Sequence, residues 1–171
     1  MELEERVAAL ELRLAAVESA DGAAAPRPGG DFWALEGLKQ LLGEDEANAA
    51  EVADGAVLFT GAVRLPTREQ YEWQYGEPTS ALLESDWPAA AESFAALGHA
   101  VRLRLLREIL GGLRTAAALA ELDELGTTGQ IYHHLRQLTA AGWLKTSGRG
   151  QYEVPVERVV PLLVMMSAAR P

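Results

Sequence analysis

The residues best equipped for chemistry lie between Thr127 and Tyr152. Ile131, Leu135 and Leu138 recur at intervals of four and three, the period of one buried helix stripe. At about 100° per residue, the opposite face carries Gly129, His133 and Arg136, flanked by Gln130, Tyr132 and Gln137. That face presents amide, imidazole, phenol and guanidinium groups and no carboxylate. A helix meant only for water ordinarily mixes charge signs, so this composition suits contact with a polyanion. Gln130 can pair bidentately with adenine, and His133 can donate to guanine. Thr127, Thr128 and Tyr132 suit phosphates near the helix start, where free backbone N–H groups already favour anions. Gly129 lets a backbone approach closely, and Lys145 and Arg149 supply cations for a flanking backbone.

Other reactive side chains read as structural. His133 and His134 are neighbours, point about 100° apart on a helix, and cannot chelate one ion together. His134 falls at the edge of the buried stripe and is expected to pack and hydrogen-bond; His99 is expected at a helix start or an interface. Met165 and Met166 suit core or interface packing. Arg102, Arg104 and Arg107 lie on two helix faces, at least one of them a structural cation. The chain has no cysteine, no Gly-rich phosphate loop, no Gly-x-Ser-x-Gly elbow and no metal-ligand cluster. An enzyme is not expected, nor any metal or other cofactor.

The elements needed to position the 127–152 residues follow from local signals. Arg114 to Leu125 predicts a short helix with Thr115 as N-cap, ended by Gly126 in left-handed geometry. Thr127 or Thr128 then caps a second helix, Thr128 to Ala140, and Gly142 closes it. Trp143, Lys145 and the run Gln151 to Val154 predict two strands around a Ser147-Gly148 turn. Helix, turn, helix and hairpin in this order predict a winged helix, whose second helix fits the roughly 12 Å major groove while the wing reaches the adjacent backbone.

With Leu97-Gly-His-Ala-Val-Arg-Leu-Arg-Leu-Leu106 before it, the helix Ile131 to Gly142 and the Gly148-Arg-Gly-Gln-Tyr152 wing, the chain from about residue 89 onward resembles the ArsR family of bacterial repressors. The resemblance implies a dimeric winged-helix transcriptional regulator. It implies recognition-helix contacts at Thr128, Gly129, Gln130, Tyr132 and His133, and a wing contact at Arg149. The chain departs from the family's metal sensors: it lacks cysteine, and its last helix (156–169) has no His or Asp. Metal sensing is therefore not expected.

The remaining segments supply context. Leu3, Val7, Leu10, Leu14 and Val17 are spaced 4, 3, 4, 3, the a/d rhythm of a coiled coil. In a parallel pair Arg6 would meet Glu11 of the partner helix, and Arg13 would meet Glu18, each opposite in sign. The bland reading of the same stripe is one amphipathic helix on its own domain, since fewer than three heptads is marginal alone. The predicted organisation is a dimerisation helix at 1–20, a flexible linker at 21–31, an accessory helix and hairpin at 32–88, and the DNA-binding domain at 89–171. The fold class is mainly α with small β-hairpins (α+β). Within 32–88, Asp31 caps a helix carrying Phe32, Leu35, Leu38 and Leu42, and an acidic stretch to Asp54 suggests a second short helix. Val57, Phe59, Val63 and Leu65 share one strand face and Tyr71, Trp73 and Tyr75 another, around a Pro66–Glu69 turn. The aromatic row is either the packed face of a small sheet or the lining of a ligand pocket. Asp86 caps the helix that enters the C-terminal half. From the last helix, Val159, Leu162, Leu163 and Met166 are expected to hold a homodimer.

Net charge is −10, which at first sight opposes DNA binding. Residues 1–94 hold 6 Lys and Arg against 19 Asp and Glu, a balance of −13, whereas residues 95–171 hold 9 against 6, or +3. The acidic burden thus lies outside the reading head. The expected partners are double-stranded DNA, a second copy of the chain, and an unassigned small-molecule or protein effector. No run approaches a membrane span and the acidic N-terminus predicts no signal peptide, so a cytoplasmic, nucleoid-associated protein is expected. The competing reading is a winged-helix module for protein–protein assembly, which the modest +3 favours.

Overall fold

The structure, a computed structural model, describes residues 32–44, 54–123, 125–148 and 150–170. The 1–20 heptads, the 21–31 linker with Asp31, the acidic run 45–53 and Arg149 lie outside these residues. Contacts divide the chain into two compact units, Met1–Glu44 and Asp45–Pro171. Helix α1 (Trp33–Glu44) belongs to the first, and an exposed Lys39–Glu36 pair at 3.1 Å spans one of its turns.

The second unit mixes helices with two small antiparallel hairpins. In chain order it runs β1 (Ala56–Arg64), β2 (Gln70–Pro78), α2 (Thr79–Glu84), α3 (Trp87–Leu97), α4 (Ala100–Leu110), α5 (Ala116–Ala120), α6 (Thr128–Ala140), β3 (Lys145–Ser147), β4 (Gln151–Glu153) and α7 (Val156–Ala168). Its core gathers Leu105, Leu106 and Ile109 of α4, Leu119 of α5, the Ile131, Leu135 and Leu138 stripe of α6, and Val159 and Leu162 of α7. Each is at most 2 % exposed. Burying one such side chain stabilises by about 1.5–3 kcal/mol, so the stripe alone fixes which way α6 faces. Trp143 joins this core at 2 % exposure: its indole N–H donates to the Ser93 carbonyl at 3.2 Å, and the Arg158 guanidinium lies 4.8 Å above its ring.

The β1–β2 register pairs Val63 with Tyr71, Gly61 with Trp73 and Phe59 with Tyr75. Directly opposed residues project to one side, so the aliphatic and aromatic rows share a single face of the hairpin rather than two. That face rests on α7. A Cβ at Gly61 would stand 2.6 Å from a Val160 methyl, so the glycine is what lets sheet and helix approach. The row is thus chiefly a packing surface, although Tyr75 remains half exposed.

Helix α3 starts at Trp87, two residues before Ala89, with Pro88 in its first turn and the Asp86 carboxylate accepting from the Ala89 N–H at 3.2 Å. Helix α5 is shorter than the expected 114–125 span. Thr115 does cap it, accepting from the Ala118 N–H at 3.2 Å. The Glu121 and Leu122 N–H groups bond back only three residues, to Ala118 and Leu119, which closes the helix early. The physical reason is that Leu119 and Leu125 both belong to the core, and a continuous helix would aim them apart. Pro161 sits in the second turn of α7, and its missing N–H leaves one helical bond unmade.

Candidate nucleic-acid interface

Helix α6 is positioned from both ends. At its start Thr127 is the N-cap and forms a reciprocal capping box: its hydroxyl accepts from the Gln130 N–H at 3.4 Å, and the Gln130 amide oxygen accepts from the Thr127 N–H at 2.8 Å. Gly126 makes room for this. Its φ is +91°, and a Cβ there would stand 2.5 Å from that same amide oxygen. At the far end Gly142, with φ +72°, turns the chain toward the buried Trp143.

Thr128, Gly129, Tyr132, His133 and Arg136 are all exposed, and they form one side of α6. Gly129 has nothing within 4 Å of a hypothetical Cβ, so packing within the chain does not demand a glycine there. The structure changes the use of two outer residues. Gln130 is turned back onto the helix start, and a bidentate pair with a base requires the bond from Thr127 to break. Gln137 is recruited by Arg102, whose guanidinium donates to the Gln137 amide oxygen at 2.7 Å. The same guanidinium donates to the Ala95 carbonyl at 2.7 Å and to the Ala96 carbonyl. Arg102 therefore clamps the end of α3, α4 and α6 together, with each of its three guanidinium nitrogens engaged in a bond within the chain. Arg107, in contrast, is exposed and pairs with its neighbour Glu108 at 2.6 Å.

The histidines divide as their positions on the helix predict, with one difference. His133 is exposed on the outer face, and His134 is half-buried. The His134 ring lies 4.6 Å from that of His99, and its Nδ1 is buried without a hydrogen-bond partner. Burial, then the charges of His99, Arg102 and His133, holds the His134 imidazole below its ordinary pKa. His99 is the N-cap of α4, its Nδ1 accepting from the Val101 N–H at 3.2 Å.

The second hairpin is anchored where α5 begins. The Tyr152 N–H donates to the Arg114 carbonyl at 2.7 Å, and Thr115 forms a bridge with Gln151. Lys145 faces Glu153 across the hairpin, their charges 3.1 Å apart, and stays half exposed. Beneath it lies a cavity of about 130 Å³, lined by Leu65, Tyr71, Ile109, Arg114, Lys145 and Val159 among others. It lies between the first hairpin and the helices of the C-terminal half. Its charged groups already satisfy one another, Lys145 with Glu153 and Arg114 with Glu69. The Thr67 hydroxyl, donating at 2.7 Å, and the Arg114 guanidinium hold the Glu69 carboxyl below the usual range.

No family model, curated protein or solved structure matches this chain. Its function must therefore be argued from its own geometry. Among the described residues no three His, Asp or Glu side chains converge as a metal would require, and no helix is long and apolar enough to cross a membrane.

Of the expected dimer contacts, Val159 and Leu162 are 1 % and 2 % exposed inside their own chain, Leu162 forming part of the wall of an apolar groove. Leu163 and Met166 are only half-buried. They border two adjoining apolar grooves of about 450 and 470 Å³, which share Leu103 and Met166 and reach the exposed ring of Phe94.

Sequence reasoning missed the Arg102 clamp, the His99–His134 contact and the Gly61 approach, all of which depend on residues distant in the chain. The Thr127–Gln130 box did have a signal, since Thr-x-x-Gln before an apolar stripe is its pattern.

Proposed function

We propose that this protein is a sequence-specific DNA-binding regulator, a repressor of the ArsR type, acting as a homodimer through a winged helix. The observation that carries the reading is the outer face of α6: exposed, free of carboxylates, and held in orientation by a fully buried stripe and a capped start. In this reading α6 enters the major groove. His133 and Arg136 meet base edges, Tyr132, Thr128 and the free N–H groups of the helix start meet phosphate, and Gly129 admits the backbone. Thr127 and Gln130 act chiefly by fixing the helix start, with the Gln130 NH₂ still able to donate. Lys145 and Arg149 serve the flanking backbone. The two protomers meet across Phe94, Leu103, Leu163 and Met166, aided by the 1–20 heptads.

A salt titration of binding to duplex DNA tests the reading. Phosphate contacts give an affinity that falls steeply as salt rises, and His133→Ala should cost about 1–3 kcal/mol at a preferred site. Binding that is flat in salt and indifferent to His133, Arg136 and Lys145 would sink it. The protein-assembly alternative would then lead, favoured by the exposed Leu83, Trp87 and Phe94 around an almost uncharged α3.

A further inference from the structure

The contact between α4 and α6 sets the half-buried imidazole of His134 against that of His99. His99 caps α4 through Nδ1, which must keep its lone pair to accept from Val101. It sits at the end of α4 where free N–H groups already make the potential positive. The His134 ring stands 4.6 Å away on α6, tilted by 44°, with its Nδ1 buried and unpartnered. The groups acting on His134 are His99 and Arg102 from the α4 side and His133 from its own helix, all basic. Only a hydrogen bond with Gln137 acts the other way, and it is the weakest of these influences. No carboxylate is among them.

We propose that the His99–His134 pair is an acid-sensitive joint, which holds α6 against α4 while His134 is neutral and loosens that seating when His134 takes up a proton. A proton on His134 places a half-buried cation beside a second imidazole and under the influence of a guanidinium, that of Arg102. The sign follows from linkage. A histidine whose folded-state pKa lies below its ordinary 6.5 binds fewer protons folded than unfolded. Stability is therefore full above about pH 6.5 and is lost as pH falls below it. The joint concerns helix seating and stands whether or not α6 meets DNA.

Thermal unfolding of the full chain between pH 7.5 and 5.5 tests it. The unaltered protein should lose about 3 °C or more in Tm over that interval. His134→Gln should remove at least half of the loss, whereas His133→Gln, on the outer face, should remove less. A loss undiminished in His134→Gln would overturn the proposal. Should that variant fail to fold, imidazole NMR of the unaltered chain decides the same question. His134 should remain mostly neutral at pH 6.5. A His134 half-protonated at or above pH 6.5 would equally overturn it.

Discussion

At the scale of single residues, the side chains that hold the candidate interface are not those that would touch a ligand. Arg102 satisfies two main-chain carbonyls and one side-chain amide from two other helices. Arg102→Ala should destabilise the protein by about 1–3 kcal/mol in urea denaturation, the cost of leaving such acceptors unpaired. Arg102→Lys should recover little, because an ammonium lacks the planar fork. A lysine variant as stable as the parent would show that charge alone is at work. Gly126→Ala should cost about 1–2 kcal/mol through left-handed backbone strain, with a further loss because the new methyl meets the Gln130 amide. Gln130→Ala separates two roles: a capping residue lowers stability by about 1 kcal/mol, whereas a base reader lowers DNA affinity at unchanged stability. These tasks were only partly legible in the sequence. The outer face of α6 followed from a spacing rule, but nothing in Arg102-Leu-Arg104 distinguishes a clamp from a solvated cation until α3 and α6 are in place.

At the scale of elements, spacing was a good guide wherever one face is buried and a poor one wherever two elements compete. Ile131, Leu135 and Leu138 placed α6 because each is fully enclosed. Helix α5 came out shorter because core contacts at Leu119 and Leu125 override an alanine-rich helical tendency. The two rows of the first hairpin were each correctly aligned, but only the register shows that they share a face. That shared face generates the element-level forecast. Gly61→Ala should destabilise the unit, since the Val160 side chain is stiff at χ1 and cannot simply swing aside. Val160→Ala should also destabilise it, by loss of buried volume. The double variant should be less damaging than the two single losses together, because each relieves the other's defect. Strict additivity in chemical denaturation would mean that the hairpin does not rest on α7 through this pair.

At the scale of the whole molecule, charge and apolar surface suggest how the parts are used. If the chain binds DNA as proposed, the −13 of residues 1–94 and the +3 of residues 95–171 limit what phosphate neutralisation can contribute, and two reading heads acting together would matter more than one. Light scattering should report a dimer for the intact chain. Removal of residues 1–20 should weaken it, and Phe94→Glu with Met166→Glu should abolish whatever remains. A monomer before any change would remove the homodimer from the proposal. A dimer indifferent to both glutamates would place its contact elsewhere than the apolar grooves. The sequence marked an apolar last helix, but periodicity alone does not separate Leu162, enclosed by its own chain, from the half-buried Leu163 and Met166 beside it.

The bridge that ties the second hairpin to the start of α5 has a consequence for its motion. Two strands of three residues each would fray readily if left alone. Here the Tyr152 amide is held by the Arg114 carbonyl, in a bridge that sets Gln151 opposite Thr115, the residue that also caps α5. The hairpin can therefore open only if the cap of α5 yields as well. In native-state hydrogen exchange the Tyr152 amide should exchange slowly, in step with the Ala118 and Leu119 amides, while the tip around Gly148 and Gly150 exchanges quickly. The tip would then be free to adapt to whatever it meets, and its base would move only with the α5 cap.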